Sequence, residues 1–149
     1  MIALVQRVAG ASVEVEGNMV GRIGPGLLIF LGVAREDGQE EAEYLSSKAA
    51  NLRIFSAGDG KFDKSLLDTG GEALVVSQFT LLASWKKGRR PSFTRAAEPQ
   101  KAEMLVESLA SGLEKLGITT KRGVFGANMK VSIENDGPVT IWMDTQSPL

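Results

Sequence analysis

Gly26-Leu27-Leu28-Ile29-Phe30-Leu31-Gly32-Val33-Ala34 is the longest apolar run in the chain. It is too short to cross a bilayer as a helix. Its length, its β-branched content and its glycine ends read as a strand buried on both faces. The residues before it are strands as well. Ala11, Val13 and Val15 alternate with Ser12, Glu14 and Glu16, the period of a half-buried strand. Glu16-Gly17-Asn18 makes a turn, Met19 to Ile23 follows as a short strand, and Gly24-Pro25-Gly26 breaks it.

Beyond the run the period changes. Ala42, Leu45, Ala49 and Leu52 recur at spacings of three and four, which predicts a helix over residues 39–52. Glu36, Asp37, Glu40, Glu41 and Glu43 gather near its start, suiting a helix N-terminus and reading as a solvated face. Ala57 to Gly71 is loop-like, and Glu72 to Leu82 is a strand built on Ala73-Leu74-Val75-Val76. An irregular stretch runs from Ala83 to Glu98. Pro99 then opens a second helix with an apolar stripe of Ala102, Leu105, Val106, Leu109, Leu113 and Leu116, stopped by Gly117. Strands return at Ile118 to Lys121, Met129 to Glu134 and Val139 to Asp144, the last two read as a hairpin through Asn135-Asp136-Gly137-Pro138. The expectation is a single α+β domain over residues 1–149, with a mostly antiparallel, barrel-like sheet and two main helices.

Composition narrows the chemistry. The 149 residues are 43% hydrophobic and 23% charged, with 17 Lys and Arg against 18 Asp and Glu. A net charge of -1 provides no overall pull toward nucleic acid, so any such binding needs a local patch. There is no Cys, which excludes disulfides, thiol nucleophiles and thiolate metal sites. There is no His, which removes every Ser-His-Asp or Cys-His relay. An enzyme with this composition works through carboxylates, hydroxyls, amines, backbone dipoles or groups brought by its substrate. Met1 to Arg7 has no signal-peptide pattern, and a cytoplasmic location is the default expectation.

Three segments are candidates for function. Residues 82–97 hold Lys86, Lys87, Arg89, Arg90 and Arg95 with no acid, flanked by Trp85 and Phe93. That pattern suits phosphates and stacked bases, and equally a solvated loop. Ser77-Gln78-Phe79-Thr80 ends an apolar strand, where polar side chains can face a pocket and backbone N–H groups can hold an oxyanion. A strand end whose hydroxyls satisfy a turn is the plain alternative. Asn135-Asp136-Gly137-Pro138-Val139-Thr140 is the third. A cis Gly137–Pro138 bond there would aim adjacent carbonyl oxygens in one direction. Phosphate-loop and dinucleotide-binding motifs are absent, and Asp59, Asp63 and Asp68 do not have calcium-loop spacing.

Taken together with Gln6-Arg7-Val8, Asn51-Leu52-Arg53-Ile54-Phe55, Lys87-Gly88-Arg89-Arg90-Pro91-Ser92-Phe93 and Gly123-Val124-Phe125-Gly126-Ala127, these segments resemble the D-aminoacyl-tRNA deacylases, also called D-tyrosyl-tRNA deacylases, essentially end to end. The resemblance implies a hydrolase that cleaves the ester of D-aminoacyl-tRNA and of glycyl-tRNA mischarged on tRNA-Ala. It implies a homodimer with active sites at the subunit interface, no cofactor and no metal. Ser77, Gln78, Phe79 and Thr80 would line the pocket for the 3′-terminal adenosine and its ester, with the backbone at Phe79 and Thr80 holding the oxyanion and the RNA 2′-hydroxyl assisting. Thr80 would position the substrate or, as the alternative, act as nucleophile.

Gly137 and Pro138 of the partner, in cis, would exclude L side chains. Arg7 would brace that loop, Phe125 and Met129 would border the adenosine, and Lys86, Lys87, Arg89 and Arg90 would contact tRNA. Phe62-Asp63 stands where many relatives have Met-Asn, and Leu82 where an aromatic is frequent, which would alter the pocket edge. A non-catalytic RNA-binding module and a hydrolase of small esters are the competing classes. The first predicts RNA retention without turnover, the second activity insensitive to salt.

Overall fold

The computed structural model describes residues 1–147. β1 (Ile2–Val15) is followed by β2 (Asn18–Ile23), β3 (Gly26–Gly32), α1 (Gln39–Asn51), β4 (Phe55–Ser56), β5 (Phe62–Lys64), α2 (Leu66–Thr69) and β6 (Glu72–Ser77). A 3-10 turn (Phe79–Leu82), α3 (Pro99–Lys115), β7 (Thr120–Arg122) and β8 (Lys130–Asp144) complete the order. The principal sheet runs β2-β1-β3-β6-β7, with β8 on the other edge of β1.

β1, β2, β3 and β8 pair antiparallel, whereas β3 with β6 and β6 with β7 are parallel. Parallel neighbours need crossovers, supplied by α1 in the first case and α3 in the second. The sheet is therefore mixed, with a parallel half that the periodicity alone does not reveal. It curls until β2 meets β7: a Cβ on Gly21 would lie 2.9 Å from the Arg122 carbonyl oxygen. The loop expected over 57–71 contains β5, which pairs with β4 just before it, and α2, whose Ser65 cap accepts from the Asp68 N–H at 3.2 Å.

β3 is buried on both faces because two cores meet across it. Leu27, Ile29 and Leu31 point into the core shared with α1 and α3, together with Ala73 and Val75 of β6. Leu28 faces the inside of the curled sheet with Val8, Val13, Ile23, Leu74 and Val76. Gly26 opposes Glu72 of the parallel neighbour β6. Asp37, expected on a solvated face, is only 1% exposed. Its carboxylate accepts from the Met1 ammonium and from the Ala34 N–H, both at 2.6 Å, closing the β3–α1 connection against the start of β1.

The last strand corrects the hairpin reading. Residues on both sides of Gly137–Pro138 pair with the same strand in the same direction: Val8 opposes Asn135, and Gln6 opposes Thr140. The chain crosses from Asn135 to Thr140 while β1 advances only from Val8 to Gln6, so the surplus residues protrude. This is an enlarged bulge in one strand. Two separate strands do not exist here, and β8 needs none.

α3 is tied to β7 by Arg122, whose guanidinium donates to Glu107 at 2.7 and 2.8 Å and to Glu114 at 2.8 and 3.0 Å. The hydrogen bonds from Arg122 hold both carboxyls below the usual carboxylate range and push the guanidinium further up. A carboxyl depressed on folding stabilises the fold above its unfolded pKa, and that contribution is lost as pH falls through the folded value. Since all three side chains are partly exposed, Arg122→Gln is expected to cost about 1 kcal/mol at neutral pH. Thermal melts should show the gap between Arg122→Gln and the unmodified chain closing as pH falls from 7 toward 3. A constant gap would mean that packing, and not charge, is what Arg122 contributes.

The Gly26 approach gives a second expectation. A Cβ there would sit 1.9 Å from the Glu72 carbonyl oxygen, so the backbone itself must move. Gly26→Ala should destabilise by about 3 kcal/mol or more in urea unfolding. At Gly10 an added Cβ would meet nothing nearer than 3.5 Å, and Gly10→Ala should stay within about 1 kcal/mol.

Candidate active site

β6 positions the first candidate segment. Its register sets Ser77 beside Leu31, and the Gln78 N–H donates to the Leu31 carbonyl at 2.8 Å before the chain leaves the sheet. The exit is tight. A Cβ on Gly32 would come to 3.1 Å from the Gln78 carbonyl oxygen, so the absence of a side chain at Gly32 permits the approach. The strand predicted to Leu82 thus ends at Ser77, and Phe79–Leu82 coils into the 3-10 turn. The N–H groups of Phe79 and Thr80 open this turn and have no partner within it. Gln78 Nε2 donates to Thr80 Oγ1.

The turn borders a cleft of about 330 Å³. Ser77, Gln78 and Phe79 form one side, and Phe125 and Gly126, from the loop after β7, form another. Leu31, Val33, Ala96, Ala97, Pro99, Ala102 and Val106 complete an apolar lining. No residue of that lining has an ionisable side chain. A smaller hollow of about 250 Å³ adjoins it through Ser77, Val106 and Phe125 and is edged by Glu103, Glu107 and Arg122. Among the described residues no group of three acidic side chains is placed to hold a metal ion.

Ala96 and Ala97 escaped the sequence reading. Their only signal is two small residues just ahead of the helix-opening Pro99, and what puts them here is the backbone bond from the Ala97 N–H to the Val33 carbonyl at 2.9 Å. Met129 lies beside the cleft wall without lining the cleft: its sulfur would be 2.7 Å from a Cβ on Gly123, and it packs on the core inside the curled sheet. Leu82 does not edge the pocket either. It is 1% exposed and packs with Ile2 and Ala34.

The basic segment forms a closed loop beside the turn. Ser84 and Ser92 exchange backbone hydrogen bonds at 2.8 and 2.9 Å. Phe93 then packs edge-on against Phe79, with ring centroids 4.9 Å apart. Lys86, Lys87, Arg89 and Arg90 are all exposed, and among the described residues none of them is ion-paired.

Gly137–Pro138 is elsewhere. The bond is cis, and the protrusion is held by Arg7, whose side chain is 13% exposed. Arg7 donates to the Asp136 carbonyl at 2.9 Å and to the Ile54 carbonyl at 2.6 Å, with its guanidinium 5.7 Å from the Phe62 ring centroid. Phe62, one of the departures noted in the sequence, thus covers the residue that braces the protrusion. Asn135 Oδ1 accepts from the Val139 N–H at 2.9 Å, closing the base of the protrusion. Ser77 lies level with Leu31 and Ile2–Ala3, whereas the protrusion lies level with Gln6–Val8 and three strands away. Strand rise and spacing separate the two by roughly 20 Å. One chain does not bring its own Gly137–Pro138 to its own Ser77–Thr80.

Comparison with known proteins places this architecture. The family model described as D-Tyr-tRNA(Tyr) deacylase matches residues 4–144. D-aminoacyl-tRNA deacylase from Roseiflexus castenholzii is 57% identical over 97% of this chain and 92% of its own length. The protein of the same name from Bacillus velezensis is 51% identical over 98% and 99%. Among solved structures, the c-Myc DNA unwinding element binding protein superposes with a TM-score of 0.91 at 42% identity, covering 99% of this chain and 100% of that one. A probable eukaryotic D-amino acid tRNA deacylase shares the fold, with a TM-score of 0.82 at 16% identity over 95% and 97%. With its family model matched over nearly the whole length, and with relatives more than half identical, the chain belongs to the D-Tyr-tRNA(Tyr) deacylase family.

Proposed function

We propose that this chain is a hydrolase that cleaves the ester between a D-amino acid and the 3′-terminal ribose of tRNA, releasing the free D-amino acid and tRNA. The observation that carries the mechanism is the cleft lining without an ionisable side chain. Such a site has no general base of its own to activate water. An aminoacyl ester on ribose brings polar groups of its own to the reaction, among them the neighbouring 2′-hydroxyl, and catalysis then rests on position and backbone dipoles. In this reading the Phe79 and Thr80 N–H groups face the developing oxyanion. The adenosine lies on the apolar floor near Phe125.

Thr80 takes a positioning role. Its hydroxyl oxygen accepts from the Gln78 amide, and the cleft lining holds no carboxylate, amine or imidazole to take up the proton that a nucleophilic threonine must lose. A second copy of the chain provides the chiral filter. Its braced Gly137–Pro138 protrusion enters the cleft, meets the substrate at the α-carbon and leaves no room for an L side chain. A D side chain points outward. Glycine has nothing to exclude, so glycyl-tRNA on tRNA-Ala is a substrate as well. What supports the two-chain arrangement is the separation of the two elements within one chain, together with the exposure of the protrusion. Lys86, Lys87, Arg89 and Arg90 supply the contacts to tRNA phosphates.

Two measurements test this reading. Purified protein incubated with matched D- and L-tyrosyl-tRNA should release D-tyrosine alone. Equal release of both would remove the filter, and release of neither would remove the enzyme. An Arg7→Ala chain, its protrusion unbraced, should hydrolyse both D- and L-tyrosyl-tRNA, whereas a Gln78→Ala chain should be inactive on both. The two are then unfolded, mixed in equal amounts and refolded. With random pairing about half of the intact clefts face a braced protrusion from a Gln78→Ala partner, so L-tyrosine release per Arg7→Ala chain should fall by about half. No fall would mean that both elements serve one chain.

A further inference from the structure

Trp85 is 74% exposed, more than any other large apolar side chain among the described residues. It is the first residue of the closed loop and is followed directly by Lys86 and Lys87. No acid occurs between Ala83 and Ala97. A loop serving solubility alone has no use for an indole in water, and an indole held for packing has no use for cations on every side. The combination fits a ligand with both a flat aromatic face and a negatively charged backbone. A duplex hides its base faces in its own stack, so the fitting ligand is single-stranded nucleic acid.

The loop is also held at a set distance from the cleft. Its base is closed by the Ser84–Ser92 backbone pair, the Phe93 ring packs on Phe79, and the Ala83 N–H donates to the Thr80 carbonyl at 3.1 Å. Five peptide links join Thr80 to Trp85, so their Cα atoms lie at most about 18 Å apart. That is the reach of a few nucleotides. On the deacylase reading above, on which this inference rests, we propose that Trp85 is a stacking platform for an unpaired nucleotide just before the 3′-terminal adenosine. Phe93 is the positioning residue that keeps the platform in register with the Phe79–Thr80 turn. Lys86, Lys87, Arg89 and Arg90 take the phosphates between them.

Steady-state hydrolysis of D-tyrosyl-tRNA and of D-tyrosyl-adenosine, which lacks the preceding nucleotides, separates this role from the chemistry. Trp85→Ala should raise KM for D-tyrosyl-tRNA about tenfold with kcat within about twofold, so the preference for tRNA over the adenosine ester falls about tenfold. Trp85→Phe should restore most of that preference, and Tyr44→Ala, which alters an exposed aromatic on α1, should not change it. An unchanged KM, an equal loss on both substrates, or a shift of Trp85→Ala from dimer to monomer in gel filtration overturns the platform and leaves the deacylase reading standing.

Failure of the unmodified protein to hydrolyse either substrate overturns that reading instead, and the platform is then tested by fluorescence. In a Trp142→Phe chain, where Trp85 is the remaining indole, uncharged tRNA should quench emission and tRNA trimmed of its unpaired 3′ nucleotides should not. Equal quenching by both overturns the proposal.

Discussion

β1 has two edges and three partner strands, and the rest of the molecule follows from how those edges are shared. β8 occupies one edge along almost the full length of β1. β3 takes the other edge as far as Val8, and β2 takes it from Ala11 onward. The β3 portion leads across the sheet to β6, whose end carries Ser77. The β8 edge carries Gly137–Pro138 where the ladder is interrupted. Both candidate elements are thus set by hydrogen-bond register counted from β1, directly for Gly137–Pro138 and through β3 and β6 for Ser77. Register moves in whole residues, so neither element can drift by a fraction of a step.

The chemistry available at the cleft is defined as much by what lines it as by what does not. A cleft without ionisable lining offers no carboxylate, amine or imidazole of its own as a general base, and hydrogen bonds within a mainly apolar recess gain strength from the low local dielectric. Such catalysis tolerates little movement of the donors. The turn is accordingly anchored on several sides: by Gln78 to Leu31, by the close approach at Gly32, by buried Leu82 against Ile2 and Ala34, and by Phe93 against Phe79. The exposed face of Phe79 is then carried by a rigid support.

Much of the fold was legible in the residues because local period and burial agree there. β3, α1 and α3 lie where the apolar spacing predicts, with Pro99 opening α3 and Gly117, at a φ of 90°, just past its end. The parallel half was not legible in period alone, since a strand buried on both faces reads the same whichever way its neighbour runs. The Asn135–Pro138 segment has the sequence of a hairpin connection because Asn, Asp, Gly and Pro carry turn chemistry. A turn and a protruding bulge use the same residues, and they differ only in whether the flanking strands pair with each other or with a third. Asp37 misled for a similar reason. A carboxylate near a helix start is normally solvated, and its burial requires a cation that the first residue provides from just before β1.

By itself the sequence determined β3, α1 and α3, the absence of thiol and imidazole chemistry, and three candidate segments. Those are properties of composition and of near neighbours along the chain. The tertiary structure alone decided that Ser77, Gln78 and Phe79 border an apolar cleft, that Ala96 and Ala97 complete it, that Met129 and Leu82 do not line it, and that Arg7 holds the protrusion. It also decided that the turn and the protrusion lie apart within one chain. The physical reason is the same in each case: which strand lies beside which, and in what register, depends on contacts between residues far apart in sequence, and no local pattern encodes a partner.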